Sequence, residues 1–146
     1  VLDDRREPGS SVAIQRIAVS GGGVFVVDTR HFKGLVHTRR PGPMSDLGPD
    51  ALFIGRRDCS RFIERMTHQA DVVRDALGDL AGSSDVPVRA MLCLTRARWV
   101  VASPIEIQGV CVGWPQLITG RVQVAGALDS PRVREVSEAI AQRLGD

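Results

Sequence analysis

Two strand-length apolar runs separated by three glycines constrain this chain more than any other feature. Residues 12–20, VAIQRIAVS, and 24–30, VFVVDTR, flank Gly21, Gly22 and Gly23. β-Branched residues on both sides of a glycine turn are the pattern of a β-hairpin. A loop of Gly21 and Gly22 pairs Ser20 with Gly23, and that register sets Gln15 opposite Asp28; a four-residue loop keeps the same register. Directly paired side chains share a face, with Cβ atoms about 5 Å apart. Arg30, two residues past Asp28, projects from that face as well. The hairpin therefore predicts a polar cluster of Gln15, Asp28 and Arg30 at one end of an apolar unit. Buried without partners, such groups cost roughly 1–3 kcal/mol each. They must pair with one another, with solvent in a cleft, or with a ligand.

Downstream of the hairpin, strands and helices are mixed. Gly34 turns the chain into a short strand at 35–39, residues 41–50 form a Pro- and Gly-rich loop, and 51–55 form another short strand. Residues 60–77 are the clearest helix, with Phe62, Met66, Val73 and Leu77 as an apolar stripe. Asp58 or Ser60 caps its start and Gly78 ends it. Gln69 falls on that stripe, where an inward amide would need the polar cluster as partner; at the stripe's edge it would reach water instead. A polar loop at 79–85 leads to a strand at 88–95, then a hairpin-like pair through Trp99 and residues 105–114. Pro115 opens a short helix, and Ser130–Pro131 opens a last one with the stripe Val133, Val136, Ile140 and Leu144. The expected fold is α/β, a mixed central sheet with an N-terminal hairpin, flanked by helices.

With 146 residues, 43% apolar and 25% charged, the chain is sized for one globular domain over 1–146. It begins with Val1, which reads as a domain excised from a longer chain. No apolar run approaches the roughly 20 residues that span a bilayer, so no membrane partner is expected. Cys59, Cys93 and Cys111 form no CxxC pair and two lie in apolar runs, which reads as buried thiols in a reducing, cytoplasmic compartment. The net charge of +2 is small, but residues 1–65 hold 11 basic against 8 acidic side chains. That bias makes Arg16, Arg30, Lys33, Arg39, Arg40, Arg56 and Arg57 the candidate phosphate contacts. Other motifs are absent. The glycine triplet lacks the Gly-Lys-Ser/Thr of a phosphate loop, and His31, His37 and His68 have no metal-ligand spacing. Trp99 and Trp114 read as sheet-packing residues.

The segment AIQRIAVSGGGVFVVDTRHFKG resembles the signature of the nuclease-related domain (NERD), a branch of the PD-(D/E)xK nuclease superfamily. Gly23–Val24–Phe25–Val26–Val27–Asp28 and Phe32–Lys33–Gly34 carry the likeness. The helix at 60–77 with Gln69, the strand VRAMLCL and the segment GVCVGWP at 109–115 extend it over nearly the whole chain. The resemblance implies a restriction-endonuclease-like core and Mg²⁺-dependent phosphodiester hydrolysis. In such a site carboxylates on paired strands hold the metal, which activates water and stabilises developing charge.

Several residues depart from that pattern. Gln15 stands where the family has an Asp, Arg16 replaces a His, and Arg30 stands in the place of the Lys; only Asp28 matches a metal ligand. An amide in place of a carboxylate removes a negative charge from a divalent site. Arg30 does not deprotonate at working pH, so it is no general base, although it can clamp phosphate. The resemblance thus assigns Asp28, Arg30, Gln15 and Gln69 to a degraded catalytic site with Mg²⁺ held weakly at Asp28 or not at all. Three readings stay open: a structural Asp28–Arg30 ion pair in a protein-interaction or scaffold domain, nucleic-acid binding without hydrolysis, and residual cleavage using Asp3, Asp4 or an upstream Glu. The partners expected are nucleic acid, a protein, or other domains of the parent chain.

Overall fold

A computed structural model describes residues 1–6, 13–39, 51–78, 86–100, 103–124, 126 and 128–144. In chain order its elements are β1 (Leu2–Arg6), β2 (Ala13–Ser20), β3 (Gly23–Arg30), β4 (Gly34–Arg39), β5 (Ala51–Ile54), β6 (Arg57–Asp58), α1 (Ser60–Leu77), β7 (Val88–Leu94), β8 (Ala97–Arg98), β9 (Ile105–Ile107), β10 (Val110–Gly113), α2 (Pro115–Val122) and α3 (Ser130–Arg143). The fold is α/β. A mixed six-stranded sheet runs in the order β1-β2-β3-β7-β10-β9, and a smaller sheet in the order β6-β5-β4-β8.

The β2–β3 hairpin has the expected register, from Ser20↔Gly23 to Arg16↔Val27. β3 then pairs in parallel with β7, from Val24↔Val88 to Arg30↔Leu94. A parallel pair needs a long crossover, and α1 supplies it. Both faces of its central strands are largely apolar and covered. On one face Ile17, Val24, Val26, Ala90 and Leu92 pack with Ile63, Met66 and Val73 of α1 and with Val136 and Ile140 of α3. On the other, Ala18, Phe25, Val27, Met91 and Cys93 pack with Ile118 and Leu117 of α2. Because both faces are buried, β3 reads as an unbroken apolar run rather than an alternating one.

The two sheets meet at a corner. β3 leads through three residues into β4, and β7 leads through two into β8, so a parallel pair leaves the first sheet and re-forms in the second as Gly34↔Ala97 and Leu35↔Arg98. The Thr95 N–H donates to the Arg30 carbonyl at 3.1 Å and bridges the gap. Thr29 and Arg30 at the end of β3 are therefore delivered, half-buried, to a junction between the sheets.

Some expectations change. The mixed central sheet is present as expected, but a second, smaller sheet stands beside it, because the short strands at 34–39 and 51–54 pair with each other and with β8 rather than with the hairpin. The hairpin after β7 is β9–β10 alone; Trp99 lies outside it and meets Trp114 edge-on at 5.2 Å. β1, an edge strand paired with β2, was not anticipated, since LDDRR carries only one apolar residue. Asp58 caps α1 from outside, its Oδ1 accepting from the Ser60 N–H and hydroxyl, which holds its carboxyl below the usual range. The N-cap position itself is Cys59. The loops expected at 41–50 and 79–85 lie outside the described residues.

Gly23 is the residue on which the hairpin turn depends. Its φ is +128°, and a Cβ there would lie 2.6 Å from the Pro87 carbonyl oxygen, the group that accepts the Val24 N–H. Gly23→Ala is expected to lower stability by about 2 kcal/mol or more, from positive-φ strain plus the backbone clash. Urea unfolding checks this; an unchanged midpoint would contradict the turn geometry.

Candidate functional site

Asp28 and Arg30 share the α1-facing side of β3, as their pairing with Leu92 and Leu94 requires. Asp28 is 3% exposed. Its Oδ2 accepts from Arg30 Nη2 at 3.1 Å and more loosely from Nε at 3.3 Å. Its Oδ1 is buried and has no hydrogen-bond partner among the described residues. A carboxylate so placed would be costly without a cation, and Arg30, whose side chain is 31% exposed, supplies it from the solvent side.

Arg30 is held on its other side by an aromatic ring. Its guanidinium lies 4.8 Å from the centroid of Phe62, in the first turn of α1. Phe62 meets Phe32 at 5.2 Å with the rings tilted by 60°, and Arg57 covers Phe32 at 4.3 Å. Arg65 approaches Phe62 from the helix, at 5.8 Å. The result is a stack in the order Arg57, Phe32, Phe62, Arg30, ending on Asp28. A second unit stands on β4 and β5, where Arg39 lies over Phe53 and His37 stacks on the same ring. Each such contact contributes about 0.5–1 kcal/mol near a surface.

The other candidates fall in different places. Gln15 is exposed and its Oε1 accepts from the Thr29 N–H at 2.8 Å. Backbone pairing of β2 with β3 ends at Arg16↔Val27, one pair short of Gln15 and Asp28. Ile14 and Ile17 are both buried in the same cluster while Gln15 and Arg16 between them are exposed, so simple alternation fails across this step. Gln15 nonetheless reaches the β3 backbone next to Asp28, through its bond to the Thr29 N–H. Arg16 pairs with Asp3 of β1 at 2.8 Å, on the exposed edge. Gln69 is 3% exposed on the inward face of α1, about two turns beyond Phe62. Arg56 and Lys33 are exposed, and Arg40 lies outside the described residues.

A divalent cation needs several oxygen ligands, carboxylates foremost. Asp28 is the one carboxylate residue buried among those described, and half of it is bound to a guanidinium that repels a second cation. No group of three or more His, Cys, Asp or Glu converges among the described residues. The side chains described do not fit Mg²⁺. The cysteines offer no alternative. All three are free and buried, and burial raises their thiol pKa values, that of Cys111 to about 11. As thiols rather than thiolates at neutral pH they are poor ligands and nucleophiles.

Phe32, Phe62, Thr95, Arg96 and Arg98 were not anticipated as site residues. Phe62 reads from spacing as core, and the run TRAR at 95–98 lies outside the basic N-terminal half. Arg96 lies in the bend before β8 and Arg98 in β8, so no strand alternation relates the two. No family model matches this chain, and neither a curated protein nor a solved structure matches it at a significant level.

Removing Arg30 tests the site directly. Arg30→Ala leaves the Asp28 carboxylate buried without its cation and is expected to cost about 3 kcal/mol. Arg30→Lys keeps the charge but not the planar fork on Phe62, and should cost about 1 kcal/mol. Chemical denaturation measures both; equal, negligible losses would show that the pair carries no structural weight.

Proposed function

We propose that this chain is a nuclease-related domain of the NERD type that binds nucleic acid without effective hydrolysis. The reading rests on the resemblance of the hairpin segment and on one observation, the stack of Arg57, Phe32, Phe62 and Arg30 that ends on Asp28. In a metal-dependent nuclease the matching carboxylate would face a divalent cation; here it faces a guanidinium. The same guanidinium and those of Arg57 and Arg39 lie over aromatic rings and can turn to a phosphate, and the exposed Lys33 adds a further cation. Basic groups interleaved with rings are the ordinary chemistry of nucleic-acid surfaces. Asp28, Arg30, Gln15 and Gln69 are assigned to the vestige of a catalytic site, with Mg²⁺ weakly held or absent. The buried free thiols accord with a reducing cytoplasmic setting. No helix among the described residues is long and apolar enough to cross a membrane.

Fluorescence anisotropy with labelled single- and double-stranded DNA and RNA tests this reading. Binding should weaken at least about tenfold between 50 and 200 mM salt, as counterions cease to be released. The double change Phe32→Ala with Arg57→Ala should cost about a further tenfold. No cleavage is expected with Mg²⁺ or Mn²⁺. Absent or salt-insensitive binding would favour a protein-interaction or scaffold domain. Metal-dependent cleavage that disappears in Asp28→Ala would overturn the non-catalytic assignment.

A further inference from the structure

We infer that the corner between the two sheets holds an anion site built for a phosphomonoester group, separate from the Asp28–Arg30 pair. A cleft of about 600 Å³ opens there, lined by Lys33, Gly34, Thr95, Arg96 and Arg98. Lys33, Arg96 and Arg98 bring three cations to it and no carboxylate lines it, while the Thr95 hydroxyl in its wall is engaged by the His31 imidazole and the Arg30 carbonyl. None of the three has an ion-pair partner among the described residues, whereas Arg16, Arg30, Arg74, Arg121 and Arg132 each have one.

Three like charges around one cleft repel one another, and an incoming anion relieves that repulsion. The backbone that carries them is already ordered. Ala97 and Arg98 are paired in parallel with Gly34 and Leu35, and the Thr95 N–H is tied to the Arg30 carbonyl. Arg96, in the bend before β8, and Arg98, in β8, both line the cleft. Gly34 sits at φ +139°, and a Cβ there would lie 2.9 Å from the Gly55 nitrogen, so close packing of two backbones keeps side chains off this wall. An anion therefore meets three cations carried on an ordered backbone, and binding still has to order their exposed side chains.

The charge count selects the ligand. A phosphomonoester carries about −1.5 to −2 at neutral pH, against −1 for a backbone phosphodiester, and so matches a tricationic cleft better. The cleft is larger than one phosphate and leaves room for the group that bears it. Free phosphate and the terminal phosphate of a nucleic-acid strand share this chemistry.

Calorimetric titration of the whole chain with inorganic phosphate, and with a short oligonucleotide carrying either a 5′-phosphate or a 5′-hydroxyl, tests the site. One phosphate should bind per chain, and the 5′-phosphorylated strand should bind at least about tenfold more tightly than its hydroxyl counterpart. Both effects should vanish in Arg96→Gln with Arg98→Gln, two exposed positions whose substitution leaves the unfolding midpoint unchanged. If phosphate binds but the end group makes no difference, the source is free phosphate and the strand terminus is ruled out. No saturable phosphate binding and no end-group preference would overturn the site while leaving salt-dependent strand binding intact. Phosphate binding in a protein with no affinity for any strand would instead overturn the proposed function and leave the site standing.

Discussion

The ion pair between Asp28 and Arg30 is the interaction on which the site depends. Asp28 sits near the end of a central strand paired on both sides, at 3% exposure, with one oxygen unpartnered among the described residues. Such a carboxylate persists only beside a compensating cation. Arg30 reaches it from two residues along the same strand and braces against Phe62. The pair therefore couples β3 to the start of α1, and through Phe32 and Arg57 to the smaller sheet.

The corner explains why polar chemistry gathers here. Strands β3 and β7 are apolar where helices cover both faces and become polar as they leave the first sheet. Because both strands make the same exit in parallel, their side chains emerge together: Arg30 and Lys33 from one, Thr95, Arg96 and Arg98 from the other. A sheet that ended in ordinary turns would scatter these residues. Their convergence follows from a parallel pair that continues into a second sheet.

Much of this was legible in the sequence, for identifiable reasons. The glycine turn set the hairpin register, and the stripe from Phe62 to Leu77 gave α1 its span, Ser60–Leu77. Arg30 on the same face as Asp28 followed from a period of two. The ladder pairs end at Arg16↔Val27, and the exposed Gln15 and Arg16 separate the buried Ile14 and Ile17, so strict alternation does not carry as far as Gln15. The second sheet was not legible, since a strand of two residues such as Ala97–Arg98 carries no periodicity of its own. Nor were the Phe32–Phe62 contact or the Arg96–Arg98 cleft, which depend on residues brought together by the crossover rather than by local spacing.

The central claim is that the Arg30 guanidinium occupies the electrostatic place a divalent metal would need at Asp28. Titration of the whole chain with Mn²⁺, followed by the electron paramagnetic resonance signal of the free ion, measures this most directly. The account predicts no saturable site at or below about millimolar Mn²⁺, because one carboxylate already paired with a cation is too weak a ligand set. One tightly bound Mn²⁺ per chain, released in Asp28→Asn, would contradict it.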